Sequence, residues 1–148
     1  MAIIACNTAH LLLPELEART GCKFVSLIDE TIKSISTIPI KKVGIMASPT
    51  TIAAKLYENP LRRNGFDVVL PSVRQQKTTE SVIRAVIAGE SLGPLRVRLR
   101  RIMSSLHLQG AEVVILGCTE LSVVFAKNDV GMVDPLTIAT NKLLGERI

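Results

Sequence analysis

Val113-Val114-Ile115-Leu116-Gly117-Cys118-Thr119-Glu120-Leu121 is the stretch on which the fold turns. Four aliphatic residues in a row, three of them β-branched, read as a strand buried on both faces. Gly117 and Cys118 end that strand, and a short helix is predicted over 121–126. A strand buried on both faces needs helices above and below it, so the chain is expected to be an α/β protein with parallel strands. Near the other end, Ile3-Ile4-Ala5 leads into Cys6-Asn7-Thr8-Ala9-His10 with the same grammar: aliphatic run, cysteine, threonine, helix.

Working outward, strands are predicted over 2–5, 24–28, 42–46, 68–70, 113–116 and 132–133. Helices are predicted over 8–19, from Asp29 or Thr31 to 35, and over 51–63, 77–88, 94–108 and 121–126, with one more after Asp134-Pro135. Gly21 reads as a helix C-cap, and Asn64-Gly65 as a stop. Strands alternate with helices, and the polar phrases follow strands at their carboxyl ends, where open α/β sheets bind ligands. A faint echo runs through the chain. Each cysteine phrase is followed by a helix and then by a strand ending in an aspartate, Ile28-Asp29 in one case and Val133-Asp134 in the other.

Among the 148 residues, 47% are hydrophobic and only 3% aromatic, so the core must be Ile, Val, Leu and Ala. Mean hydropathy is high at +0.35, but no apolar run approaches the roughly 20 residues of a membrane span, and a soluble protein is expected. The net charge of +5 raises the question of nucleic acid. Arg96, Arg98, Arg100 and Arg101, however, share a segment with the helical stripe Leu95, Leu99, Ile102, Met103 and Leu106, which puts the arginines on a solvated face. With no aromatic stacking platform beside them, nucleic-acid binding is not expected. Cys6, Cys22 and Cys118 are an odd number without metal spacing, pointing to a reducing compartment and a cytoplasmic protein. Ile3-Ile4-Ala5-Cys6 spells a lipoprotein-type box, but no basic leader precedes it and processing there is not expected.

Cys6 and Cys118 each stand where a strand feeds a helix. Amide N–H groups at a helix start favour a thiolate, and Asn7, Thr8 and Thr119 add polar donors suited to a carboxylate. A thiolate on one side of a carbon could act as base while a thiol on the other acts as acid. The plainer reading is that either cysteine is a small buried hydrophobe. Cys22 lacks this context and reads as incidental. His10 reads as packing or orienting its neighbours. Glu120 is either a ligand group or a first-turn carboxylate favoured by the helix dipole. Ser48, Thr50 and Thr51 read as N-caps, with Thr51 the better ligand candidate. Asp29 and Asp134 read as strand-end turn residues.

CNTAH at 6–10 and GCTEL at 117–121 resemble the two catalytic cysteine motifs of the aspartate/glutamate racemase family, in its cofactor-independent aspartate racemase branch. ASPTT at 47–51 is similar to that family's substrate-binding threonine loop, and VDP at 133–135 to a recurring C-terminal phrase. The resemblance implies racemisation of an acidic amino acid without pyridoxal phosphate or metal. Cys6 and Cys118 would be the acid/base pair, and Asn7, Thr8, Thr51 and Thr119 would bind the substrate carboxylates.

The resemblance also implies an α/β fold of two parallel-sheet αβα lobes with the site between them, crossing near Pro39 and returning near Lys127. Lobe two, 40–126, is expected complete. Lobe one, 1–39 and 127–148, is expected to be its incomplete pseudosymmetric counterpart, N-terminally truncated because Met1 stands five residues before Cys6. The expected partners are a small dicarboxylic amino acid and a second copy of the chain in a homo-oligomer, with no nucleic acid and no membrane. Left open is an inactive remnant that serves as a structural or interaction module. A thiol-redox role is disfavoured because no CxxC occurs.

Overall fold

A computed structural model describes residues 2–125 and 130–145. Its centre is a four-stranded parallel sheet. The strands are β3 (Lys42–Ala47), β4 (Asp67–Val69), β5 (Val113–Gly117) and β6 (Met132–Val133), in the order β4-β3-β5-β6. β1 (Ala2–Ile3) and β2 (Phe24–Val25) form a separate parallel pair.

The period-2 alternation of strand side chains divides the core between the two faces of the large sheet. Met46, Val114 and Leu116 face α5 (Val73–Ile87), α6 (Leu92–Leu108) and α7 (Thr119–Val124). Val43, Ile45, Ala47 and Ile115 face the other way, onto α2 (Leu27–Ile35), Tyr57 and Leu61 of α4 (Glu58–Arg63). Each fully buried Leu or Ile here contributes about 1.5–3 kcal/mol relative to an exposed one. Leu95, Leu99, Ile102, Met103 and Leu106 are the buried stripe of α6, as their spacing requires. Among the arginines of that helix, Arg96 donates from Nε to the Val124 carbonyl at 2.7 Å and Arg98 donates to Ser81 Oγ at 3.2 Å.

The first pair of strands is covered by α8 (Pro135–Leu144), which packs on α2 and touches β1 and β2. Val25, Leu27 and Ala139 form its small core. α1 (Leu13–Thr20) stops at Gly21, whose φ of 65° is the left-handed C-cap conformation.

The expected α/β class and parallel strands are the architecture found. Several boundaries move, each for a local reason. β2 ends at Val25 and not at Ile28, because Ser26 Oγ accepts the Asp29 N–H at 3.1 Å and caps α2 three residues earlier. Ser72 and Gln75 form a reciprocal capping box, so α5 begins at Val73 and not near Lys77. Residues 8–12 are 3-10 helix before α1.

The helix predicted over 51–63 is broken in two, α3 (Pro49–Ala53) and α4. Leu56 N–H bonds to Thr51 C=O and Lys55 N–H to Ile52 C=O, with Lys55 at φ 52°. This is a Schellman-type ending with lysine where glycine is usual. The last residue of the helix predicted over 121–126, Ala126, and the expected lobe return at Lys127 lie outside the described residues. Among the described residues no helix is long and apolar enough to cross a membrane.

Candidate active site

The register of the large sheet sets the site. Ala47 pairs with Gly117 at the carboxyl ends of β3 and β5, so Ser48 and Cys118 leave adjacent strands side by side. Gly117 is required there. A methyl group on it would stand 2.8 Å from the Ala47 Cβ and 3.2 Å from Tyr57 Cε2. Cys6, Asn7 and Thr8 come to the same place from β1 of the small sheet.

Three hydroxyl groups close a ring there. Thr8 Oγ1 lies 3.2 Å from Ser48 Oγ and 3.1 Å from Thr51 Oγ1, and Ser48 Oγ lies 3.0 Å from Thr51 Oγ1. Each hydroxyl has one proton to give, so a cyclic arrangement satisfies all three, and an arriving anion could draw donors from a cluster already in place. Ser48 Oγ also accepts the Thr51 N–H, so the expected capping role and the clustering coexist. Thr51 is 1% exposed, whereas Thr50 points to solvent.

Asn7 is 3% exposed and accepts at Oδ1 from the Tyr57 hydroxyl. Tyr57 was not singled out in the sequence. The available signal was that it is the chain's one tyrosine, in a segment with helical spacing, and a buried tyrosine hydroxyl needs a partner. Burial holds its phenol well above the ordinary value.

His10 does not reach the thiols as a base. Its Nδ1 lies 2.9 Å from the Cys6 carbonyl, and its Nε2 accepts the Leu27 N–H at 2.9 Å. One nitrogen gives a proton and the other takes one, which fixes the neutral ring, and burial holds its pKa below 6.5. The imidazole ties the Cys6 loop to the first turn of α2.

The two sulfurs differ. Cys6 is exposed and Cys118 half-buried. Cys118 is the N-cap residue of α7, where a lowered thiol pKa was expected. The opposite holds. Burial pushes the Cys118 thiol up to about 12, helped by the Glu120 carboxylate, and the charge of nearby Cys6 acts in the same direction. The S–H donates to Glu120 Oε2 at 2.9 Å, and Thr119 Oγ1 lies 3.2 Å from that same oxygen. Burial works against the charge on Glu120, but these hydrogen bonds outweigh it and hold the carboxyl below its ordinary range. Six residues of helix after Cys118 do not overcome burial together with a carboxylate in contact with its sulfur. Thr119 is thus engaged with Glu120, apart from the hydroxyl ring.

Asp134 caps α8, accepting the Leu136 N–H at 3.1 Å and hydroxyls from Ser122 and Thr137. A cleft of about 730 Å³ lies beside it between α2, α7 and α8, and neither cysteine lines it. Among the described residues no group of three or more His, Cys, Asp or Glu side chains is placed to hold a metal ion.

Against known proteins, the family model for Asp/Glu/hydantoin racemase matches residues 1–143. The broad-specificity amino-acid racemase RacX of Bacillus subtilis is 26% identical over 121 residues, covering 82% of this chain and 52% of its own. The crystal structure of PH1733, an aspartate racemase homologue from Pyrococcus horikoshii, is 29% identical with a TM-score of 0.79, covering 97% of this chain and 64% of that one. A Yersinia pestis structure described as a putative Asp/Glu racemase shares the fold, with a TM-score of 0.81 at 24% identity over 95% of this chain and 63% of its own. The chain therefore spans about half the length of RacX and under two thirds of either solved chain.

Proposed function

The chain belongs to the Asp/Glu/hydantoin racemase family, and on that premise we propose that it racemises an acidic, aspartate-like amino acid by two-thiol proton transfer. The observation that carries the reading is the pairing of an exposed Cys6 with a nearby, protonated Cys118. One sulfur is open to serve as base and the other already holds a proton to give.

In the forward step the Cys6 thiolate takes the α-proton and becomes a thiol. The Cys118 thiol then delivers its proton to the opposite face of the carbanion and becomes a thiolate. The enzyme ends with its proton on the other sulfur, poised for the reverse direction. Glu120, bound to Cys118 Sγ, holds that thiol in its proton-donating state before turnover. The hydroxyls of Thr8, Ser48 and Thr51, together with the Asn7 amide, suit a substrate carboxylate. Thr119 would serve a second carboxylate by turning its hydroxyl from Glu120.

The reading places the substrate between a first lobe of 1–39 with 127–148 and a second of 40–126. It requires no cofactor. It works on reduced thiols, hence in the cytoplasm. The half-exposed Leu11, Leu12 and Ile38 support a homo-oligomer such as a dimer.

Incubation with L- or D-aspartate in D₂O tests it, with the α-proton followed by NMR and the optical rotation alongside. Both enantiomers should exchange and racemise, and Cys6→Ser or Cys118→Ser should each lower racemisation by at least about 100-fold. A folded protein that exchanges neither enantiomer would point to a non-catalytic module. Racemisation that survives loss of either cysteine would remove the mechanism.

A further inference from the structure

Tyr57 touches both cysteine phrases. Its ring lies where a Gly117 side chain would be, next to the residue preceding Cys118. Its hydroxyl donates to Asn7 Oδ1, the side chain of the residue following Cys6. Thr31 of α2 is a second neighbour of that hydroxyl, and its own Oγ1 is fastened to the Leu27 carbonyl at 2.6 Å. Ring and hydroxyl therefore have different neighbours: the ring lies on the large sheet, and the hydroxyl meets Asn7 of the Cys6 loop and Thr31 of α2. The side chain is 1% exposed, and its hydroxyl proton is already given to Asn7.

We propose that Tyr57 is a positioning residue that sets the separation of the two thiols, its ring braced on the backbone beside Cys118 and its hydroxyl fixing the side chain beside Cys6. This rests on the two-thiol reading above.

Two features of the surroundings make the brace stiff. Ala47 and Gly117 are paired in the sheet, so the surface under the ring is strand backbone and cannot yield. The Cys6 loop is also held from behind by His10, which bonds the Cys6 carbonyl and the Leu27 N–H. With its far side anchored, the loop meets the large-sheet side through two ties, Thr8 to the hydroxyls of Ser48 and Thr51 and Asn7 to Tyr57, and Asn7 is the nearer to Cys6. A donor on Asn7 Oδ1 also fixes which way the amide faces, leaving the Nδ2 protons for a carboxylate. Proton transfer across a substrate carbon depends steeply on such spacing, since a misplacement of about 1 Å costs on the order of 100-fold in rate.

The test is Tyr57→Phe, which keeps the ring and removes the hydroxyl, in a protein carrying Cys22→Ser so that two thiols remain. A bifunctional thiol reagent that fluoresces only after both arms react reports the spacing without reference to activity. The ratio of cross-linked to singly alkylated Cys6 and Cys118 is then read by mass spectrometry. That ratio should fall about 5-fold or more in Tyr57→Phe. In α-proton exchange, kcat should fall about 10-fold or more, with KM changing less than about 3-fold.

A residue that merely filled the core would leave the cross-linking ratio and the kcat-to-KM split unmoved, and that result overturns the proposal. Should Tyr57→Phe fail to fold, Asn7→Leu removes the acceptor of the same hydrogen bond from the other side and should lower the ratio likewise; an unchanged ratio there is equally fatal. A parent protein without exchange, whose ratio still falls in the variant, would sink the racemase reading and leave the brace standing. Exchange in the parent with an unchanged ratio in the variant would do the reverse.

Discussion

The two cysteine phrases share a local grammar and live in different surroundings. Cys118 leaves the five-residue β5 at the centre of a four-stranded sheet, half-buried, its proton held by Glu120. Cys6 leaves the two-residue β1 of a two-stranded pair, exposed, and its loop is secured by side chains and not by a sheet. His10 holds its carbonyl, Asn7 reaches Tyr57, and Thr8 reaches Ser48 and Thr51. Aliphatic run, cysteine, threonine and helix thus specify where a thiol sits along the chain. What surrounds it differs: burial and the Glu120 carboxylate hold the Cys118 proton, whereas Cys6 is open to solvent. The proposed two-thiol reaction would use that inequality, with one sulfur holding a proton to give and the other accessible to substrate.

The sharpest way to break the contrast is Glu120→Gln. Removing the carboxylate removes the charge that favours the protonated thiol, so the Cys118 pKa should fall from about 12. A drop of one unit corresponds to a 10-fold gain in thiolate, about 1.4 kcal/mol. Alkylation of Cys118 near pH 8.5, resolved by peptide mass mapping, should therefore speed up about 10-fold or more. The Cys6 rate should stay as it is. If Cys118 reacts no faster in the variant, burial alone holds its proton and Glu120 has another task.

The same contrast explains what could be read without coordinates. β5 is an almost unbroken aliphatic run and β3 is apolar from Val43 to Ala47, with Gly44 within it, so their existence, their parallel direction and the placement of Ser48 and Cys118 at their ends were legible. So were the buried stripe of α6 and the capping role of Ser48. Errors arose where one polar atom outvotes a pattern. Leu27 and Ile28 extend an aliphatic run, but the Ser26 hydroxyl turns them into helix. Ala53-Ala54-Lys55-Leu56 has helical composition, and no glycine marks the left-handed Lys55 that ends α3. That break brings Tyr57 inward, so the residue that joins the two cysteine phrases was illegible for the same reason as the break. The grip of Glu120 on Cys118 was open in the sequence, because a first-turn carboxylate is equally at home pointing at solvent.

His10 offers a second, smaller lever on the exposed phrase. Folded, it is neutral, with one nitrogen donating and the other accepting, and its pKa lies below 6.5. Below pH 6.5 the unfolded chain takes up a proton that the folded chain resists, so the unfolded state binds more protons and stability falls as pH falls. The window opens near 6.5 and extends down to the folded pKa. Urea midpoints between pH 8 and pH 5 should show this decline. In His10→Gln the decline should vanish, and stability at pH 8 should be lower by about 1–3 kcal/mol for the buried groups left unpaired. A decline that persists in the variant assigns it to other groups. Because Cys118 is held by a different element, its alkylation rate at pH 8 should be the same in His10→Gln as in the parent, while that of Cys6 should rise.

The smallest effect separates the two halves of the echo. After β2 the chain is capped by Ser26, whose hydroxyl accepts one N–H, from Asp29. After β6 it is capped by Asp134, whose carboxylate accepts the Leu136 N–H and the hydroxyls of Ser122 and Thr137. If the echo reflects equivalent positions, Ser26 and not Asp29 is the counterpart of Asp134, and the two caps differ in how much hangs on them. Ser26→Ala should cost about 1 kcal/mol or less, the ordinary worth of a single N-cap, with both thiols reacting as before. Asp29→Ala should cost less still, since the structure uses its backbone N–H and leaves its side chain exposed. Urea titration of the pair decides it. A larger loss at Asp29 than at Ser26 would return the strand-end role to the aspartate and place the echo where the sequence alone had put it.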